Sequence, residues 1–340
     1  MQYAPTKDFC SQGGIGNKTS IKKMKTLILC AGAIGSVYAG FLKKADYDVT
    51  ILGRKWHLDA IKENGLKITG IWGEHQIDNL LCFTKAEELT NENFDLIIIS
   101  VKSYDTSEIT KLASKHLNKN GFVVSFQNGV DNVENISEFI DYKQILIGRI
   151  IFGAEIISPG VVKVSVMAEE ARLGCYENSI DYKTIEKFAK LFDEAGIPTK
   201  PTREVMKYLW AKLLYNCALN ALCTILDIPY GKLLGNEYTE SLMKIIVQEA
   251  FEVARAKNIK LFWNKPEEYI EVLFNKLIPS TAAHFPSMLQ DIKNNKLTEI
   301  DALNGVIVKY ASELKIPVPI NDCITKIIKS IETLQVISNR

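Results

Sequence analysis

The 340-residue chain is long enough for two domains of ordinary size. Its 47% hydrophobic and 24% charged residues suit a globular protein, and a formal net charge of +1 excludes a global attraction to nucleic acid or to an anionic membrane surface. Seven cysteines without a C-x-x-C pair and four histidines argue against a disulfide framework or a metal site, and fit a reducing, cytoplasmic setting.

The first 23 residues are polar and lack an apolar signal core, so they read as a disordered tail or start-site extension ahead of Met24. Gly13-Gly14-Ile15-Gly16 lies in that stretch, before any strand, and takes no phosphate-binding role. Lys25–Cys30 is a short apolar strand that runs into Ala31-Gly32-Ala33-Ile34-Gly35 and then a helix over Ser36–Lys44. Asp48–Leu52 is the second strand, which completes a βαβ unit. Further strands follow at Asp95–Val101, Phe122–Phe126 and Gln144–Ile147, with helices between them. This alternation predicts a doubly wound parallel sheet of Rossmann type over residues 24–202. Ala154–Val166 and Glu170–Cys175 read as extended segments around a Pro159-Gly160 turn, and Asp181–Ala195 as a helix. After about residue 202 the strand signals fade. Helices are predicted over 203–225, 236–257, 266–277, 287–314 and 321–337, so residues 203–340 form an all-α domain. No uninterrupted apolar run approaches the roughly 20 residues of a membrane helix.

A strand that ends in a glycine-rich turn and opens a helix offers free N–H groups and a positive dipole to a pyrophosphate. Cys30-Ala31-Gly32-Ala33-Ile34-Gly35 fits, with Cys30 where the first glycine of the pattern would stand. The alternative is a turn that needs small residues only for packing. Gly53-Arg54-Lys55 ends the second strand without a carboxylate, which favours the 2′-phosphate of NADP over the free ribose of NAD. An exposed strand-end cation is the plainer alternative. Lys102 and Asn128 follow the next two strands and fall at the ligand edge of such a sheet, although each also suits a surface or a turn.

Leu209–Leu226 is apolar except for Lys212, Asn216, Asn220 and Thr224, spaced four apart. That spacing puts them on one face of a largely buried helix. Asparagine disfavours helix, so the face suits a polar cavity better than a narrow solvent seam, which remains the alternative. Lys212 can then donate a proton to an alkoxide formed by hydride addition, while Asn216 and Asn220 bind substrate oxygens. In the later segment Pro286–Gly305, Ser287 is a helix N-cap or a carboxylate ligand, and Glu299 is a surface residue or a partner that orients Lys212.

From Met24 to Asn321 these residues resemble the ketopantoate reductase (2-dehydropantoate 2-reductase) family. The resemblance is carried by the glycine loop, Gly53-Arg54, Val101-Lys102, Gln127-Asn128-Gly129, Trp210-Ala211-Lys212-Leu213 through Asn216 and Asn220, and Ser287-Met288-Leu289-Gln290-Asp291 through Glu299. It implies NADPH-dependent reduction of ketopantoate to pantoate, in pantothenate and coenzyme A biosynthesis. Lys212 would be the general acid, and Asn216, Asn220 and Ser287 would contact the substrate. Glu299 would lie beside substrate and nicotinamide. Cys30, Ala31, Gly32, Ala33, Ile34, Gly35, Arg54, Lys102, Asn128 and Ala154 would line the cofactor. Three positions depart from the pattern: Cys30, His284 and Tyr230, the last two standing where some members carry asparagine. Alternatives are an NADP-dependent dehydrogenase of another 2-oxo or 3-hydroxy acid and a non-catalytic NADP sensor. A small 2-oxo acid is the expected partner, with neither nucleic acid nor membrane. The long C-terminal helices also offer a surface for a homodimer.

Overall fold

Lys25–Leu29 ends in the apolar run Leu27-Ile28-Leu29 and forms β1, a central strand whose last four residues are all buried. The computed structural model describes residues 24–90 and 92–338, so the expectation for residues 1–23 lies outside the described residues. From β1 the chain continues through α1 (Ala33–Lys44), β2 (Asp48–Leu52), α2 (Lys55–Asn64), β3 (Leu66–Gly70), β4 (His75–Ile77), β5 (Leu81–Phe83) and β6 (Phe94–Ile99). It then runs through α3 (Thr106–His116), β7 (Leu117–Ser125), α4 (Asn132–Ser137), β8 (Ile145–Ser158), β9 (Val161–Cys175), α5 (Tyr182–Glu194) and β10 (Thr199–Pro201).

These strands make one sheet in the order β4-β3-β9-β8-β7-β6-β1-β2-β5, with β10 on β9. From β5 to β8 every pairing is parallel. The sheet is therefore the expected Rossmann type on that side, with a reversal of strand order beside β1. Such a reversal opens a crevice at the carboxyl ends of the strands.

The other side departs from an all-parallel reading. β8 and β9 are long antiparallel strands joined at Pro159-Gly160, because a turn that tight can join only antiparallel neighbours. The segment expected at 154–166 is thus the end of β8, the turn and the start of β9, and that at 170–175 is the end of β9. β3 pairs antiparallel with β4. β3, β4 and β5 are short strands that the alternation pattern did not announce.

Two cores flank the sheet. One joins Ile28, Ile51, Leu96 and Val124 to Val37 and Leu42 of α1 and Phe188 of α5. The other joins Leu27, Leu29, Ile97 and Ile99 to Val133 of α4 and runs on without a break into the helical half.

That half holds α6 (Val205–Leu226), α7 (Glu237–Ala256), α8 (Pro266–Val272), a π-helical turn at Leu273–Leu277, α9 (Ile278–Ser280), α10 (Ser287–Lys293), α11 (Asn304–Leu314) and α12 (Pro319–Ser338). By length and mean hydropathy, 1.3, α6 would pass as a membrane span, although no single apolar run in it is long; 67% of that window is buried inside the protein. Its apolarity is explained by Trp210, Leu213, Leu214 and Cys217, which lie within the core.

The helix expected over 287–314 is broken. Asn294-Asn295 ends α10, with Asn295 at φ 53°, and a single turn at Ile300–Ala302 precedes α11. Asparagine leaves the helix and tolerates the left-handed region. The break lets Glu299 turn back toward the sheet.

Candidate active site

Lys212 sits two turns into α6, where the helix passes the carboxyl end of β7 and the first half of β8. Its Nζ donates to Asn128 Oδ1 at 2.8 Å and to the Ile150 carbonyl at 2.9 Å. Burial lowers its pKa to about 8, helped by the charge of Arg149 and opposed by that of Glu299. The ammonium therefore faces the sheet, not bulk water.

Asn128 is the hub. Its Nδ2 donates to Glu299 Oε2 at 3.0 Å, and its own carbonyl accepts from Asn132 Nδ2 at 2.6 Å. Gly129, not Asn128, takes the positive φ of this turn, 97°. Glu299 is buried, with Oε1 accepting from the Ser103 backbone N–H and hydroxyl at 3.2 Å each. Glu299 therefore does not touch Lys212, contrary to a direct orienting role; the Asn128 amide bridges them.

Lys102 donates to Asp291 Oδ2 at 2.6 Å and to Glu299 Oε2 at 3.4 Å. Burial alone would weaken its charge, but the two carboxylates outweigh that and raise its pKa. A small polar cavity opens among Asn128, Asn220, Ser287, Met288, Asp291, Glu299 and Leu303.

The remaining seam residues separate. Asn220 is buried and lines the cavity, while Thr224 Oγ1 bonds back to the Asn220 carbonyl at 2.7 Å and stays within the helix. Asn216 is half-buried on α6 and does not line the cavity. Ser287 lines it as the first residue of α10; the N-cap is Pro286, so Ser287 is not the cap. Asp291 and Ser103 were given no role from sequence, since an acid and a serine in polar surroundings resemble ordinary surface residues. One signal was available for Asp291: it stands one helical turn after Ser287.

The glycine loop lies at the other end of the crevice. Cys30 adopts φ 58°, the left-handed turn that the missing glycine would favour, and burial pushes its thiol up to about 11. The first turn of α1 has no side-chain cap and no acidic residue, so its N–H groups stay available. A Cβ at Gly32 would meet nothing within 4 Å, which leaves that backbone open to an approaching group, whereas at Gly35 it would lie 2.7 Å from Ser100 Oγ. Ala33, Ile34 and Gly35 begin α1, and Arg54 is exposed at the N-cap of α2. Among the described residues no carboxylate forms an ion pair with Arg54, although Asp105 is near enough to feel its charge. This cradle fits a phosphorylated dinucleotide. Ala154 lies farther along β8, packed against the core beside α1, and does not line the cavity.

A Rossmann-type sheet whose crevice faces a lysine on a buried helix, with an all-α half behind it, defines a two-part α/β–α class of dehydrogenase-like protein. Residues 26–178 match the family "Ketopantoate reductase PanE/ApbA", and residues 204–332 match "Ketopantoate reductase PanE/ApbA C terminal". The chain is 41% identical to the 2-dehydropantoate 2-reductase of Aquifex aeolicus, covering 91% of this chain and 97% of that one. It is 35% identical to that of Pyrococcus abyssi, covering 92% and 99%. The solved PanE/ApbA family ketopantoate reductase from Ralstonia eutropha JMP134 superposes with a TM-score of 0.81 at 30% identity, covering 92% and 99%. D-mandelate dehydrogenase, solved with NADH and anilino(oxo)acetate, gives the same TM-score at 26% identity and the same coverage. The chain belongs to the ketopantoate reductase family of oxidoreductases.

Proposed function

We propose that the protein reduces the ketone of ketopantoate with NADPH and that Lys212 supplies the proton. The observation that carries this reading is a lysine with pKa near 8, held by Asn128 and the Ile150 carbonyl beside a polar cavity. NADPH supplies the hydride when bound. The loop from Cys30 to Gly35 holds its phosphates in this reading through the free N–H groups of Ala33, Ile34 and Gly35, Arg54 takes the 2′-phosphate, and Lys102, Ala154 and Asn128 line the rest of its site. Lys212 gives its proton to the oxygen that becomes the hydroxyl, and its charge stabilises that oxygen as negative charge develops. Asn220 and Ser287, which line the cavity, bind the remaining substrate oxygens, whereas Asn216, which does not line it, has no direct substrate contact in this reading. Glu299 holds Asn128, and through it Lys212, while lying beside substrate and nicotinamide. Residues 24–202 thus serve the cofactor, and 203–340 supply most groups for substrate and proton.

D-mandelate dehydrogenase shares the fold closely, so a reductase of another 2-oxo acid is the second reading. Purified protein assayed with NADPH and NADH against ketopantoate, 2-oxoisovalerate, pyruvate and phenylglyoxylate separates the two. The proposal expects the largest kcat/KM for ketopantoate with NADPH; a larger value for another acid would replace the substrate.

A further inference from the structure

Asn220, at the wall of the cavity, pairs with Tyr230 behind it. Asn220 is 5% exposed and Tyr230 3%. The Tyr230 hydroxyl and Asn220 Oδ1 are 2.7 Å apart. The Tyr230 ring meets Tyr215 edge-on, with centroids 5.7 Å apart, and lies 5.3 Å from the His284 ring. Its backbone is tied down as well: the Tyr230 N–H donates to the His284 carbonyl at 3.0 Å, and the next N–H to the Ala282 carbonyl at 2.9 Å. Neither ring nor hydroxyl is therefore free to swing.

A buried phenol must place its proton on an acceptor or lose a hydrogen bond. Burial also pushes this phenol far above the usual tyrosine range, so it keeps that proton at any working pH. The Asn220 carbonyl oxygen accepts it. The amide is then fixed in one of its two flips, and its NH₂ group is directed away from Tyr230. No protein acceptor for that NH₂ group exists among the described residues, and Asn220 lines the cavity.

We propose that Tyr230 is a positioning residue of the substrate site, whose hydroxyl locks the Asn220 amide so that Nδ2 presents a donor to an acceptor oxygen of the 2-oxo acid. The inference rests on the reductase reading above. It gives a role to one of the positions that depart from the family pattern. The aromatic residue reaches the site through Asn220 and need not touch the substrate. A site organised in this way favours a carboxylate or carbonyl oxygen at Asn220 and penalises an analogue that carries only an apolar group there, because the amide would be left unpaired.

Tyr230→Phe keeps the ring and removes only the hydroxyl. The expected result is a rise of about tenfold in KM for the 2-oxo acid, the loss of one hydrogen bond, with kcat within about twofold. The dissociation constant for NADPH, read from its fluorescence, should not move, and neither should the melting temperature by more than a few degrees. Asn220→Ala should raise KM as well. Adding Tyr230→Phe to Asn220→Ala should then change nothing further, because the hydroxyl acts only through the amide. An unchanged KM in Tyr230→Phe overturns the inference, and so does a full additional loss in the double variant. Weakened NADPH binding in Tyr230→Phe would mark a merely structural tyrosine and also overturn it. Wild-type protein that oxidises NADPH with none of the 2-oxo acids fails the reductase reading itself, before any variant is compared.

Discussion

An ammonium taken out of water loses hydration that its neighbours must replace. Lys212 receives two acceptors, Asn128 Oδ1 and the Ile150 carbonyl, and no direct carboxylate. Its neutral form is therefore favoured, and the group gives up its proton near pH 8 rather than near 10.5. In the proposed reduction the protonated form of Lys212 is the active one. kcat/KM for ketopantoate should thus be level below about pH 8 and fall about tenfold per unit above it. A bound substrate carboxylate favours the ammonium, so the limb in kcat should lie at higher pH than the limb in kcat/KM; coincident limbs, or none, would count against Lys212. Arg54 carries a separate expectation. Arg54→Ala should raise KM for NADPH at least about tenfold while KM for NADH moves little, since only the former has a 2′-phosphate for the guanidinium to hold. An unchanged NADPH-to-NADH ratio would remove Arg54 from cofactor choice.

At the scale of elements, the polar face of α6 was legible because asparagine and lysine stand out on an apolar helix. Asn220 lines the cavity and Lys212 Nζ bonds Asn128, whereas Asn216 does not line the cavity. The position of Glu299 was not legible. It depends on a break between α10 and α11 that two consecutive asparagines only hint at, and helical periodicity read straight across it. Asp291 and Ser103 were silent because their roles come from contacts across the crevice, not from their own segments. The parallel half of the sheet was plain in its apolar strands, whereas the β8–β9 hairpin hid in length: its strands alternate weakly and bulge repeatedly.

Two elements give direct tests. α1 lies close on β1 and β6 because Gly35 has no side chain; Gly35→Ala would drive a Cβ to 2.7 Å from Ser100 Oγ and 3.1 Å from Ile28. It should lower the urea midpoint, cost about 1–3 kcal/mol and weaken NADPH binding as the loop shifts. α12 begins on a buried carboxylate: Glu249 accepts from the Ile320 and Asn321 N–H groups, each at 2.9 Å, and from Asn321 Nδ2 at 2.7 Å. Glu249→Ala should cost about 2–4 kcal/mol in the same titration and leave KM for NADPH unchanged, as expected for a cap remote from the crevice.

Across the whole molecule, the two halves meet at the chemistry. Lys102 and Ser103 follow β6 and Asn128 follows β7, while Asp291, Glu299 and Lys212 come from the helical half; their hydrogen bonds span the crevice. The hydrophobic core beneath is also continuous from the sheet into α6, so the crevice walls rest on shared packing. Such a base holds polar groups in fixed positions without help from a ligand. The separation of tasks between loop and lysine then has a direct consequence: removing the lysine should spare the cofactor. Lys212→Ala, measured for steady-state reduction of ketopantoate and for NADPH binding by fluorescence on the same preparation, tests this most directly. The account predicts a fall in kcat of at least about 10²-fold with an NADPH dissociation constant within about twofold of wild type. A kcat within about tenfold of wild type would contradict it.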